Sequence, residues 1–87
     1  MSQSKITFAN GDTLVIQEGE FFVPIVLTEH NGESFSSMGV PYEISGHVHD
    51  GLIPSITTLC LKSGFFYNID EPGKVYNPST IVSIENI

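Results

Sequence analysis

The segment KITFANGDTLVIQ, Lys5 to Gln17, decides how the chain is read. Apolar and polar residues alternate on both sides of Asn10-Gly11, the dipeptide that type I′ hairpin turns favour because both of its residues tolerate positive φ. Successive side chains of a strand point to opposite faces. Ile6 and Phe8 therefore share one face, with Leu14 and Ile16 across from them on the returning strand. The prediction is an antiparallel hairpin with one apolar side.

The same reading extends along the chain. In GEFFVPIVLTEHNGESF, Gly19 to Phe35, a dense β-forming run from Phe21 to Thr28 leads into a second Asn-Gly turn at Asn31-Gly32. Pro24 has no N–H to give a ladder, so this strand is either an edge or interrupted there by a bulge. Ser36 to Pro54 is irregular, broken by Gly39, Pro41, Gly46, Gly51 and Pro54. SITTLCLKSGFFYNI reads as two strands, Ile56–Leu61 and Phe65–Ile69, joined through Lys62-Ser63-Gly64. A turn at DEPGK follows. Asn77-Pro78-Ser79-Thr80 then suits a single helical or 3₁₀ turn, and Val82, Ile84 and Ile87 return as a last strand.

Eighty-seven residues form one domain, residues 1–87, because a hydrophobic core cannot usefully be divided at this length. Five to six short strands with at most a one-turn helix near residues 77–81 predict an all-β fold. The expected form is a small antiparallel barrel or sandwich of SH3-like size.

Composition narrows the function. Ten carboxylates oppose three lysines, with no arginine, giving a formal charge of −7. Phosphate backbones are held mainly by Lys and Arg, so direct nucleic-acid binding is not expected. The acidity suits a protein partner with a basic surface. Charged residues are only 15% of the chain, against about 25% in a typical soluble domain. That shortage leaves uncharged surface facing outward and predicts association, either with a partner or as a homo-oligomer. One cysteine, Cys60, excludes an internal disulfide. The opening MSQSKITF lacks the pattern of a signal peptide, and no apolar run is long enough to span a membrane. A cytoplasmic protein is expected, in the host cytoplasm if it is phage-encoded.

Chemistry-bearing residues are few. ISGHVHDGLIP, Ile44 to Pro54, sets His47 and His49 on one face if it is extended, with Asp50 next in sequence and His30 or Glu43 as further ligands. A lone His-x-His without a second cluster at ligand spacing is a weak metal signal. The segment therefore reads as a glycine-flanked connection whose imidazoles face solvent or a contact surface. No metal or cofactor is expected, although paired imidazoles in an acidic chain would make association sensitive to pH. Cys60 reads as a packed thiol inside a strand. SSMG is not a nucleophile elbow, EPGK is not a phosphate loop, and Asp70-Glu71 sit in a turn. With no assembled catalytic constellation, the chain is not read as an enzyme.

The aromatics carry the binding reading. Phe21-Phe22 and Phe65-Phe66 cannot place both members in one core, so a residue of each pair lies in an interface or beneath the Ser36–Pro54 loop. Phe22 and Phe66 are taken as contact residues. Tyr42, Tyr67 and Tyr76 suit stacking on a ligand, and His47 and His49 join them as contact candidates. The expected function is that of a small acidic non-enzymatic binding protein, of the sort phages encode to inhibit a host protein. The alternatives are a homo-oligomer that sequesters a small nucleotide-type ligand at subunit junctions, with backbone amides cradling its phosphate, and a structural component of a larger particle.

Overall fold

The first hairpin forms as its alternation requires. In the computed structural model, which describes residues 2–87, β1 (Gln3–Phe8) and β2 (Thr13–Gln17) pair antiparallel with Ile6 opposite Leu14 and Ser4 opposite Ile16. The turn differs from the expected one. Gly11 alone has positive φ, and its N–H bonds the Phe8 carbonyl while the Phe8 N–H bonds that of Asp12. This is a three-residue loop with a left-handed glycine. Asn10 instead braces it through its side chain, bonding the Asp12 amide and carboxylate.

The type I′ geometry appears at the second Asn-Gly. Asn31 and Gly32 both have positive φ, closing β3 (Phe21–His30) onto β4 (Glu33–Met38). Pro24 lies in a central strand, flanked by β6 (Phe65–Asn68) on one side and by β4 and β5 (Tyr42–Glu43) on the other. Between the pairs Ile25–Met38 and Phe22–Tyr42, β3 has two residues where its neighbour has three. The missing proline donor thus falls at this extra residue, a bulge-like offset. β7 (Ile81–Asn86) returns beside β1 and completes the order β2-β1-β7 in the first sheet.

The fold is therefore mostly β, with two antiparallel sheets, as expected. One element overturns the reading. Ile53–Lys62 is an α-helix, α1, not a strand from Ile56 to Leu61, and Cys60 lies in its last turn. Burial explains this. Leu52, Ile56 and Leu59 recur at spacings of four and three and are fully buried, whereas Thr57, Thr58 and Leu61 face water. Pro54 sits in the first turn, where its missing N–H costs nothing, and Lys62 sits in the last. Thr57 and Thr58, β-branched and weak helix formers, both donate their hydroxyls to the Pro54 carbonyl and so satisfy them within the helix. The expected 3₁₀ turn is present at Pro78–Thr80, capped by the Asn77 side chain on the Ser79 amide.

Ile6, Phe8 and Ile16 from one sheet meet Phe22 and Phe66 from the other, with Ile44, Leu52, Ile56 and Leu59 filling the space between. Phe22 and Phe66 pack edge to face at 5.7 Å, and Tyr76 stacks on both Phe8 and Phe66. The two buried serines are satisfied: Ser4 donates to Asn86, and Ser55 accepts from the Ser45 amide and donates to the Tyr42 hydroxyl. No helix among the described residues is long and apolar enough to cross a membrane.

Candidate functional site: an apolar face rimmed by acids

Phe22 points into the core, so the alternation of β3 sends Phe21, Val23, Ile25 and Leu27 outward. Register places β6 beside them on the same face: Phe65 opposite Ile25, and Tyr67 opposite Val23. Ile69 follows, its amide bonded to the Phe21 carbonyl. On the other side Met38 stands opposite Ile25, and its sulfur accepts from the Tyr67 hydroxyl at 3.4 Å. Tyr67 and Val23 are buried at the centre, while Phe21, Leu27, Met38, Phe65 and Ile69 are between 42 and 72% exposed around them. Their exposed area is on the order of 500 Å², at the upper range for the largest apolar patch on a monomeric protein.

The charge around this face has one sign. Glu43 stands opposite Phe21, and Asp70 and Glu71 follow Ile69. Glu29 extends the row beyond Leu27 and Glu33 closes the hairpin tip. The lysines lie elsewhere: Lys5 is in β1, Lys62 is 4.7 Å from the centre of the Tyr42 ring, and Lys74 is 5.4 Å from that of Tyr76. The face is apolar at its centre and acidic at both ends.

The predicted contact residues divide. Phe22 and Phe66 are fully buried and out of a partner's reach; their neighbours Phe21 and Phe65 hold the exposed positions. Tyr67 belongs to the outer face, but Tyr42 and Tyr76 pack against the core. The three tyrosines therefore line no common pocket. A cleft of about 670 Å³ runs beside Cys60, Leu61, Ile81 and Ile84 and includes none of them. A second, of about 300 Å³, has Tyr76 alone of the three.

His47, His49 and Asp50 are exposed on a five-residue loop closed by reciprocal backbone bonds between His47 and Gly51. Asn86 pins that loop, donating to the Asp50 carbonyl and accepting from the Leu52 amide. His30 is at the far hairpin tip. Among the described residues no three His, Cys, Asp or Glu side chains gather closely enough to hold a metal ion. Burial raises the pKa of the Cys60 thiol, which makes it a poorer nucleophile at neutral pH.

The outer face also holds Ile25, Leu27, Met38 and Ile69, which the sequence reading did not single out. For Ile25 the signal is present: from Phe21 to Val26 both alternating sets are apolar, so a strand with one buried face must leave the other set uncovered. Comparison with protein-family models, curated proteins and solved structures finds no match.

Proposed function

We propose that the chain is a small non-enzymatic binding protein that lays the outer face of β3 and β6 against a partner protein whose own apolar patch is ringed by basic residues. The observation that carries this reading is an apolar patch whose surrounding charges are all carboxylates. A standard interface buries about 800 Å² per partner, more than half of it apolar, and the patch is of that apolar size. Phe21 and Phe65 supply aromatic anchors, and Met38 is a side chain that adapts to an irregular surface. The acidic ends steer a basic partner into place and repel a second copy of the same face, so a heterologous complex is favoured over face-to-face self-association. Inhibition by coverage needs no more chemistry than this.

The test is to capture the partner from the native cells and titrate it with purified chain. Affinity should fall as salt rises from about 50 to about 500 mM, because the acidic rim is screened. Leu27→Asp should weaken binding by at least about 30-fold, the scale of an apolar contact replaced by a buried charge. Binding that ignores both salt and Leu27→Asp would exclude this face.

A further inference from the structure

Past Ile25 the four-stranded sheet narrows to two strands. β5 ends its pairing with β3 at Phe21–Phe22, and β6 pairs with it only as far as Ile25. Val26–His30 and Glu33–Ser37 continue alone as a ribbon about 17 Å long, at ~3.4 Å per residue. The molecule is accordingly elongated, 44 × 27 × 22 Å, with a radius of gyration of 13.3 Å against about 12 Å for a compact chain of this length. Such a ribbon is marginal in water by itself.

The outer edge of β4 carries none of the usual guards. Natural edge strands are blunted by lysine, proline or an inward charge. β4 reads ESFSSM, with its single charge, Glu33, at the tip and three serines along its length. The two-residue turn makes His30–Glu33 a hydrogen-bonded pair, so the amides of 33, 35 and 37 face β3. The Gly39 amide, which continues this alternation, does bond β3, at the Pro24 carbonyl. The amides of Ser34, Ser36 and Met38 therefore point away from β3, into the open edge. Phe35 is half exposed on the ribbon's inner face, beyond the core.

We propose that β4 pairs antiparallel with β4 of a second copy, joining two four-stranded sheets into one across a two-fold axis. The occupant follows from self-complementarity. A charge of −7 on each chain opposes contact over most of the surface, but β4 beyond Glu33 carries no charge to repel its own copy, and its half-exposed Phe35 finds a match in the second copy's Phe35. Amides facing the edge must stand opposite one another. The two registers of greatest overlap therefore set Ser36 opposite the second copy's Ser36, or Ser34 opposite its Ser36. Either brings the two Phe35 rings opposite or diagonal to each other, within the reach of aromatic cross-strand contact. The pairing covers both edges and leaves the apolar outer faces free on one side of a doubled sheet.

Light scattering of the purified chain, read against concentration, tests this. The expected result is a mass that rises to that of two chains. It should return to one chain in Ser36→Pro, which removes an edge amide while leaving the bonds to β3, and in Ser36→Lys, which restores a guard. Circular dichroism and thermal melting of both variants check folding. Amide hydrogen exchange of the wild type gives a second readout: Ser34, Ser36 and Met38 should gain protection as concentration rises. A chain that stays monomeric at millimolar concentration overturns the proposal. So does a dimer that survives both variants with no concentration-dependent protection of those three amides.

Discussion

The two Asn-Gly hairpins share a turn dipeptide and serve opposite ends. The β1–β2 hairpin is clamped over the core: Ile6 and Ile16 are fully buried, Phe8 nearly so, and β7 covers the far edge of β1. The β3–β4 hairpin begins in the core at Phe22 and then leaves it, ending in an arm with apolar side chains on both faces, Leu27 on one and Phe35 on the other. What separates them is the third element that does or does not cover the ribbon. Covered, a hairpin supplies stability. Uncovered, it supplies surface, at little cost to the global fold.

Cutting into each hairpin should expose the contrast at once. Ile6→Ala should cost about 2–5 kcal/mol, and Phe22→Ala, at the root of β3, about 3–5 kcal/mol. Leu27→Ala on the arm should stay within about 0.5 kcal/mol, as expected of an exposed site. Urea denaturation curves check all three, and a large loss at Leu27 would mean that the arm is part of the core.

A third turn sharpens the point that an exposed loop can still be rigid. Gly51 has φ near +61°, and a Cβ there would lie 2.6 Å from the Asn86 amide oxygen. Gly51→Ala should therefore destabilise by about 1–3 kcal/mol through left-handed strain and the clash together. In an Asn86→Ala background, which itself loses the bonds to Ser4, Leu52 and Asp50, Gly51→Ala should cost only the left-handed share, because the clash is gone. Thermal melts of the single and double variants measure the split.

Gly11 and Gly32 both have positive φ with open space around them, so alanine at either costs about 1 kcal/mol locally. The two losses should be felt differently. Gly11→Ala should lower the melting temperature of the whole chain, while Gly32→Ala should mainly speed amide exchange between Val26 and Ser37. Equal effects on global melting would erase the distinction between the hairpins.

The smallest effect concerns Cys60, on the partly buried side of α1. Its thiol pKa is raised by desolvation, so the folded state holds the proton more tightly than the unfolded chain. This contribution to stability is intact below the thiol's ordinary pKa and is lost as pH rises through the higher folded value. A slight alkaline decline is expected, absent in Cys60→Ser, together with slower alkylation than that of a free thiol.

Much of the fold was legible because alternation and turn chemistry agree. β1, β2, the start of β3, the interruption at Pro24 and the Asn77–Thr80 turn all follow from local residue types. The helix escaped because Ile56, Thr57 and Thr58 favour strands locally, and only the recurrence of Leu52, Ile56 and Leu59 against a core outvotes them. The type I′ turn was legible as a dipeptide but not by location, since Asn10 spends its side chain on Asp12 instead. The site was half legible. The doublets Phe21-Phe22 and Phe65-Phe66 announce that one ring of each must face out. Which ring does so depends on the β3–β6 register and on α1 and the first sheet covering the opposite face, none of which is a local property.

The central claim is that the outer face of β3 and β6 is where a partner sits. Oxidative footprinting of the free chain and of its complex with the captured partner reads this residue by residue. Phe21, Leu27, Met38, Phe65 and Ile69 should lose reactivity in the complex while Val15, on the outer face of the first sheet, keeps it. Protection centred on Val15, or on the cleft beside Leu61, with the five unchanged would contradict the account.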